Sequence, residues 1–131
     1  MGKKKPVEWT PARRKAFIVS VLRSGSRRWP PKYLTLNEAK TEKKTNTATG
    51  RIAQHFRCVG CQKDYPQKMV EVDHIQPVAG VHGFSTWDEF IAGLFCEKSN
   101  LQVLCKPCHS KKSKIEKDQL LENRRALLDT K

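Results

Sequence analysis

Two Cys-x-x-Cys pairs, Cys58–Cys61 and Cys105–Cys108, constrain this chain more than any other feature. Tetrahedral zinc takes four soft ligands, and two such knuckles supply them with little strain. Every coordination position would be filled by protein, so such a Zn2+ ion is structural and leaves no place for water or substrate. It would clamp the chain before residue 62 to the chain after residue 104. That spacing is longer than zinc knuckles usually show, so something is inserted inside the clamp. A redox pair or two buried cysteine pairs are the alternative readings. The fifth cysteine, Cys96, ends an apolar run and reads as a buried free thiol.

A clamp suits the rest of the composition. The chain has 131 residues, 37% hydrophobic and 30% charged, enough for one modest core. Domains of this size often need a metal or another staple to fold. Lys and Arg number 26 against 13 Asp and Glu, for a formal net charge of +13. The basic residues cluster, which points to a polyanion, with nucleic acid ahead of an anionic membrane surface. No run approaches the roughly 18 apolar residues of a membrane span. The basic start of the chain, with Lys3, Lys4 and Lys5, has no signal-like apolar run behind it. The expected compartment is the cytoplasm, where thiols stay reduced.

Local patterns divide the chain. Residues 1–9 read as a basic arm, and Thr10-Pro11 as a helix entry with an apolar stripe of Ala16, Phe17, Ile18, Val19 and Leu22. Gly25 is expected to end that helix, and Pro30-Pro31 to keep residues 24–34 irregular. Arg27, Arg28, Trp29, Lys32 and Tyr33 either grip nucleic acid or cover a small core. Short helices are expected near 36–44 and 51–55, separated by a loop. Lys68–Ile75 reads as a strand, because Val70, Val72 and Ile75 are β-branched. Thr86 and Glu89 form a capping box for a helix over 87–95 that buries Trp87, Phe90, Ile91 and Leu94. A short apolar segment spans 99–104. A basic helix over 108–128 follows, with Ile115, Leu120, Leu121, Leu127 and Leu128 as its buried members. His55 and His82 read as structural or solvent-exposed.

Inside the clamp sit Asp73 and His74 at a strand end, Asn100 before an apolar segment, and His109 directly after the last cysteine. Hydrolysis of a phosphodiester needs a base near neutral pH and a divalent ion to offset charge on the phosphate and leaving oxygen. A carboxylate with an imidazole can hold that ion and leave positions open. Asp73, His74 and His109 are the residue types for these tasks. Taken singly, each has a plainer reading: a turn cap, a buried histidine, a helix-start residue or substitute zinc ligand. Adjacent strand residues point opposite ways, so Asp73 and His74 need a bend to serve one site. Lys106, Lys111, Lys112, Lys114 and Lys117 crowd the early turns of the last helix and would meet flanking phosphates.

CVGC at 58–61, VDHIQPV at 72–78 and NLQVLCKPCHSKK at 100–112 together resemble the HNH endonuclease family, the His-Me finger or ββα-metal nucleases. The resemblance covers about residues 55–115, and the insert GFSTWDEFIAGLFC is similar to small bacteriophage HNH proteins. It implies an α+β, zinc-stapled, treble-clef-like ββα-metal fold over residues 51–131, with residues 1–50 as a basic N-terminal helical extension. It implies a metal-dependent DNA endonuclease whose products carry a 5′-phosphate and a 3′-hydroxyl. His74 would be the general base, Asn100 would fix its loop, and Asp73 with His109 would bind Mg2+ or Mn2+. Ser113 stands where many relatives carry a further His or Glu ligand. The implied partner is DNA, contacted by Lys106, Lys111, Lys112 and Lys114, with a DNA-processing or packaging protein as a second candidate. No membrane is implied, and the state would be a monomer or homodimer, in the host cytoplasm if phage-encoded. A zinc-stabilised nucleic-acid-binding module without catalysis is the competing expectation, and an interaction protein with a basic docking face is another.

Overall fold

A computed structural model of the chain describes residues 2, 6, 8–78 and 84–129. Helix α1 (Pro11–Ser26) starts as its sequence predicts: the Arg13 N–H donates to Thr10 Oγ1 at 3.3 Å, and Pro11 sits where no N–H is needed. It runs through Gly25 rather than ending there. The next element corrects the reading of residues 24–34. Pro30-Pro31 opens helix α2 (Pro30–Glu38) instead of preventing one. A proline at the first helical position costs no hydrogen bond, so the same pair that breaks a helix interior can begin a helix.

The two short helices expected after it are also corrected. They are a β-hairpin of β1 (Lys40–Thr45) and β2 (Ile52–Arg57), paired antiparallel. Its turn is built from residues suited to reversal. Asn46 Oδ1 accepts from the Ala48 N–H at 2.9 Å, and Gly50 takes φ 74°. Lysines on exposed faces gave β1 a helix-like composition, but cross-strand pairing decided its structure. β3 (Asp64–Pro66) completes a three-stranded sheet in the order β1-β2-β3. The chain on both sides of residue 50 is therefore hydrogen-bonded into one sheet.

A separate two-stranded sheet joins the knuckles. β4 (Val70–His74) pairs antiparallel with β5 (Leu101–Cys105), with Asp73 opposite Gln102 and His74 opposite Leu101. Between them lies α3 (Trp87–Leu94), and after them α4 (Lys106–Asp129). The arrangement is α+β, with a ββα unit of β4, β5 and α4. The Thr86 cap holds, since the Glu89 N–H donates to Thr86 Oγ1 at 3.2 Å, while the Glu89 carboxylate accepts from Ser85 Oγ.

Phe56, Val70 and Val103 form the core under α2, joined by Leu36, Ala39, Tyr65 and Val72. A second cluster, Cys58, Leu104 and Cys105, backs the knuckles. Phe90 and Leu94 of α3 are buried as expected, but Trp87 and Ile91 are exposed. The reading of α4 needs the larger correction: Ile115, Leu121, Leu127 and Leu128 are exposed and only Leu120 is half-buried. Most of the apolar side chains in its second half stay exposed. His82 lies outside the described residues. Among those described, no helix is long and apolar enough to cross a membrane.

Candidate active site

The four knuckle cysteines converge. Their Sγ atoms all lie within 4.8 Å of one another, and Cys61 Sγ is 3.9 Å from Cys105 Sγ. Four thiolates around zinc at about 2.3 Å would be separated by about 3.8 Å, so the donor set fits such an ion. Cys105 comes from the end of β5 and Cys108 from the first turn of α4, while Cys58 and Cys61 flank a tight turn after β2. Gly60 lets that turn lie close against Cys108, because a Cβ there would sit 3.1 Å from Cys108 Sγ. A hydrogen bond with the Tyr65 hydroxyl, helped by the Lys63 backbone, holds the Cys61 thiol down at about 6, which favours the thiolate that a metal needs. His109 is no part of this cluster; among the described residues only the four cysteines group in this way.

Just beyond the clamp, Asp73, His74 and His109 line one cleft of about 370 Å³. Asp73 is buried, and its position on β4 aims it at α4. Its Oδ1 is 3.5 Å from His109 Nε2. Its Oδ2 accepts from Gln102 Nε2 and from Lys112 Nζ, each at 3.1 Å. The other nitrogen of His109, Nδ1, lies 3.2 Å from Glu71 Oε2. A neutral imidazole has one N–H, yet this ring faces a carboxylate on each side. If Nδ1–H donates to Glu71, the Nε2 lone pair faces Asp73 Oδ1, and either a proton or a divalent ion would join the two. Two donors of a small divalent ion at about 2.1 Å lie about 3 Å apart, close to the observed spacing. The donor chemistry therefore suits such an ion.

His74 turns the other way, as strand alternation requires. Its Nε2 lies 3.2 Å from the Leu94 carbonyl at the end of α3. A carbonyl can only accept, so Nε2 carries the proton and Nδ1 keeps the lone pair. Half-burial is the main influence on this ring. With the Lys32 and Arg23 charges it outweighs the Leu94 hydrogen bond and Asp73, and lowers the pKa below the usual histidine value. The ring is thus neutral at neutral pH. The bend after it is fixed by Asn100, whose Oδ1 accepts from the Gln76 N–H at 2.9 Å and whose carbonyl accepts from the Ile75 N–H at 2.8 Å.

Lys112 turns inward instead of facing open solvent with Lys106, Lys111 and Lys114. Besides Asp73 it donates to the His74 carbonyl at 2.8 Å and pairs with Glu116. Burial opposes its charge, yet the Glu116 and Asp73 carboxylates outweigh that and hold its pKa above the ordinary lysine value. Sequence reasoning missed Glu71, Gln102 and the Leu94 carbonyl. Glu71 had a signal, because residues two apart on a strand share a face and Asp73 was already suspected. The Leu94 carbonyl had none. Arg23, Ser113, Glu116 and Lys117 complete the cleft wall with Pro77, Val78 and Leu120.

The family model of the HNH endonuclease matches residues 58–114, from the first knuckle cysteine to the early turns of α4. Every residue of the two knuckles, and Asp73, His74, Asn100 and His109, falls inside that span. No curated protein and no solved structure matches the chain.

Proposed function

We propose, from the premise that residues 58–114 are an HNH endonuclease segment, that this chain cuts DNA phosphodiester bonds with a divalent cation held by Asp73 and His109. One observation carries the reading: Asp73 Oδ1 and His109 Nε2 face each other at 3.5 Å in the cleft that His74 also lines. These groups come from β4 and α4, far apart in the chain.

Mg2+ or Mn2+ bound there would neutralise charge on the scissile phosphate and on the leaving oxygen. The chain's own residues do the rest. His74 takes the proton of the attacking water on Nδ1, while Leu94 holds its Nε2–H and so sets the tautomer. Asn100 fixes the backbone beyond His74 through Ile75 and Gln76 and keeps the ring in place. Glu71 turns the His109 ring so that Nε2 is its free donor. Gln102 and Lys112 hold the second Asp73 oxygen, leaving Oδ1 for the cation. The four cysteines bind Zn2+ as a structural clamp that sets β5 and α4 beside β4. Lys106, Lys111 and Lys114, all exposed, meet flanking phosphates without reading sequence. The products are a 5′-phosphate and a 3′-hydroxyl.

Supercoiled plasmid tests the reading. Purified, zinc-loaded chain should nick it in Mg2+ or Mn2+ and not when no further divalent ion is added. His74→Ala should lose about 100-fold or more of that activity while still retarding DNA in a gel. Retardation without nicking by the unaltered chain in any divalent metal would leave a binding module in place of an enzyme.

A further inference from the structure

Arg23 belongs to α1, outside the matched segment, yet it lines the same cleft as Asp73, His74 and His109. Its position is built rather than accidental. α1 packs on α3, with Lys15 Nζ 3.8 Å from the centre of the Phe84 ring. The Arg23 guanidinium lies over the buried Phe90 ring at 5.7 Å. Stacking on an aromatic face restrains a guanidinium without using its N–H donors. No carboxylate of the described residues lies within ion-pair distance of Arg23. Lys32 of α2 is in the same condition, and the charges of both bear on the His74 ring. A cleft with a carboxylate–imidazole pair on one wall and an uncompensated, pre-oriented guanidinium on another has a place for an anion between them.

We propose that Arg23 holds a non-bridging oxygen of the DNA phosphate that is to be cut, opposite the Asp73–His109 pair. The N-terminal helices thereby complete the site instead of merely extending it. The guanidinium fork suits two oxygens of one phosphate, and a lysine ammonium at the same place would meet them only as a point charge. This inference rests on the nuclease reading for the cutting step, but the phosphate contact itself can be measured without cutting.

Arg23→Met and Arg23→Lys test it, because methionine keeps an apolar stem on Phe90 and removes the charge. Duplex DNA binding is followed with the zinc-loaded chain and no added Mg2+ or Mn2+ across a range of salt concentrations, and plasmid nicking is followed in Mn2+. Loss of one phosphate contact should reduce the slope of log affinity against log salt by about 0.9. Arg23→Met should slow nicking by about 100-fold, and Arg23→Lys should restore part of the rate. Mn2+ binding should match the unaltered chain in both variants. An unaltered chain that never cuts, with a slope that still falls in Arg23→Met, removes the nuclease reading and keeps the contact. Cutting by the unaltered chain that Arg23→Met reproduces in rate and slope removes the contact and keeps the reading. Equal losses in both variants together with a lowered thermal midpoint make Arg23 a packing residue and overturn the proposal.

Discussion

The two carboxylate oxygens of Asp73 face different groups. Oδ2 is satisfied by Gln102 and Lys112, whereas Oδ1 meets only the His109 ring. His109 is in turn held on its far side by Glu71, half-exposed on the same face of β4. A carboxylate behind a metal-binding histidine sets its tautomer and raises its basicity, and removing such a partner costs about 10- to 100-fold in metal affinity. Glu71→Ala should therefore weaken Mn2+ binding by that factor, while Glu71→Gln, which keeps an acceptor, should weaken it less. The thermal midpoint should stay within about two degrees, because exposed ion pairs contribute little to stability. A titration calorimeter reads the first quantity and circular dichroism the second. Unchanged Mn2+ affinity in Glu71→Ala would mean that the His109 ring is held by other means.

At the scale of elements, the cleft depends on how α3 approaches the segment after β4. Gly93 lets them touch: a Cβ there would meet the Val78 carbonyl oxygen at 2.7 Å and Val78 Cα at 3.3 Å. Both are backbone atoms and cannot swing away. Gly93→Ala should cost about 1–3 kcal/mol, as overpacked sites do, and should slow nicking, because Pro77 and Val78 line the cleft. A urea melt identical to that of the unaltered chain would show that α3 and Val78 are not held together. The sequence alone makes part of this scale legible. The knuckles, the β4 strand, the Thr86 cap and the α4 helix all carry local signals in cysteine spacing, β-branching and capping chemistry. The hairpin of β1 and β2 does not, since Lys40–Thr45 becomes a strand only by pairing with Ile52–Arg57. Pro30-Pro31 is ambiguous by nature, because the same residues end one helix or begin another. The leucines of α4 follow a helical stripe, yet Leu121, Leu127 and Leu128 stay exposed. At the site, the motif residues were visible from their order, while Arg23, Gln102 and the Leu94 carbonyl enter through tertiary packing alone.

At the scale of the whole molecule, the N-terminal helices are packed into the ββα unit rather than tethered to it. α2 lies on β5, Trp29 Nε1 donates to the Cys96 carbonyl at 2.7 Å, and Trp29 meets Phe95 edge to face at 5.5 Å. Lys98 and Glu38 add an ion pair across the same contact. The cysteine cluster and the cleft are built from different residues with different donor types, sulfur in one and oxygen and nitrogen in the other. The net charge of +13 favours the approach of a polyanion, and the cleft sets the His74 ring beside the gap between Asp73 Oδ1 and His109 Nε2. That gap is the centre of the account. It is tested most directly by Mn2+ titration of the zinc-loaded chain, followed by electron paramagnetic resonance. The expected result is a single bound Mn2+ ion per chain, lost in both Asp73→Ala and His109→Ala and retained in His74→Ala. Undiminished Mn2+ binding in Asp73→Ala and His109→Ala would contradict it.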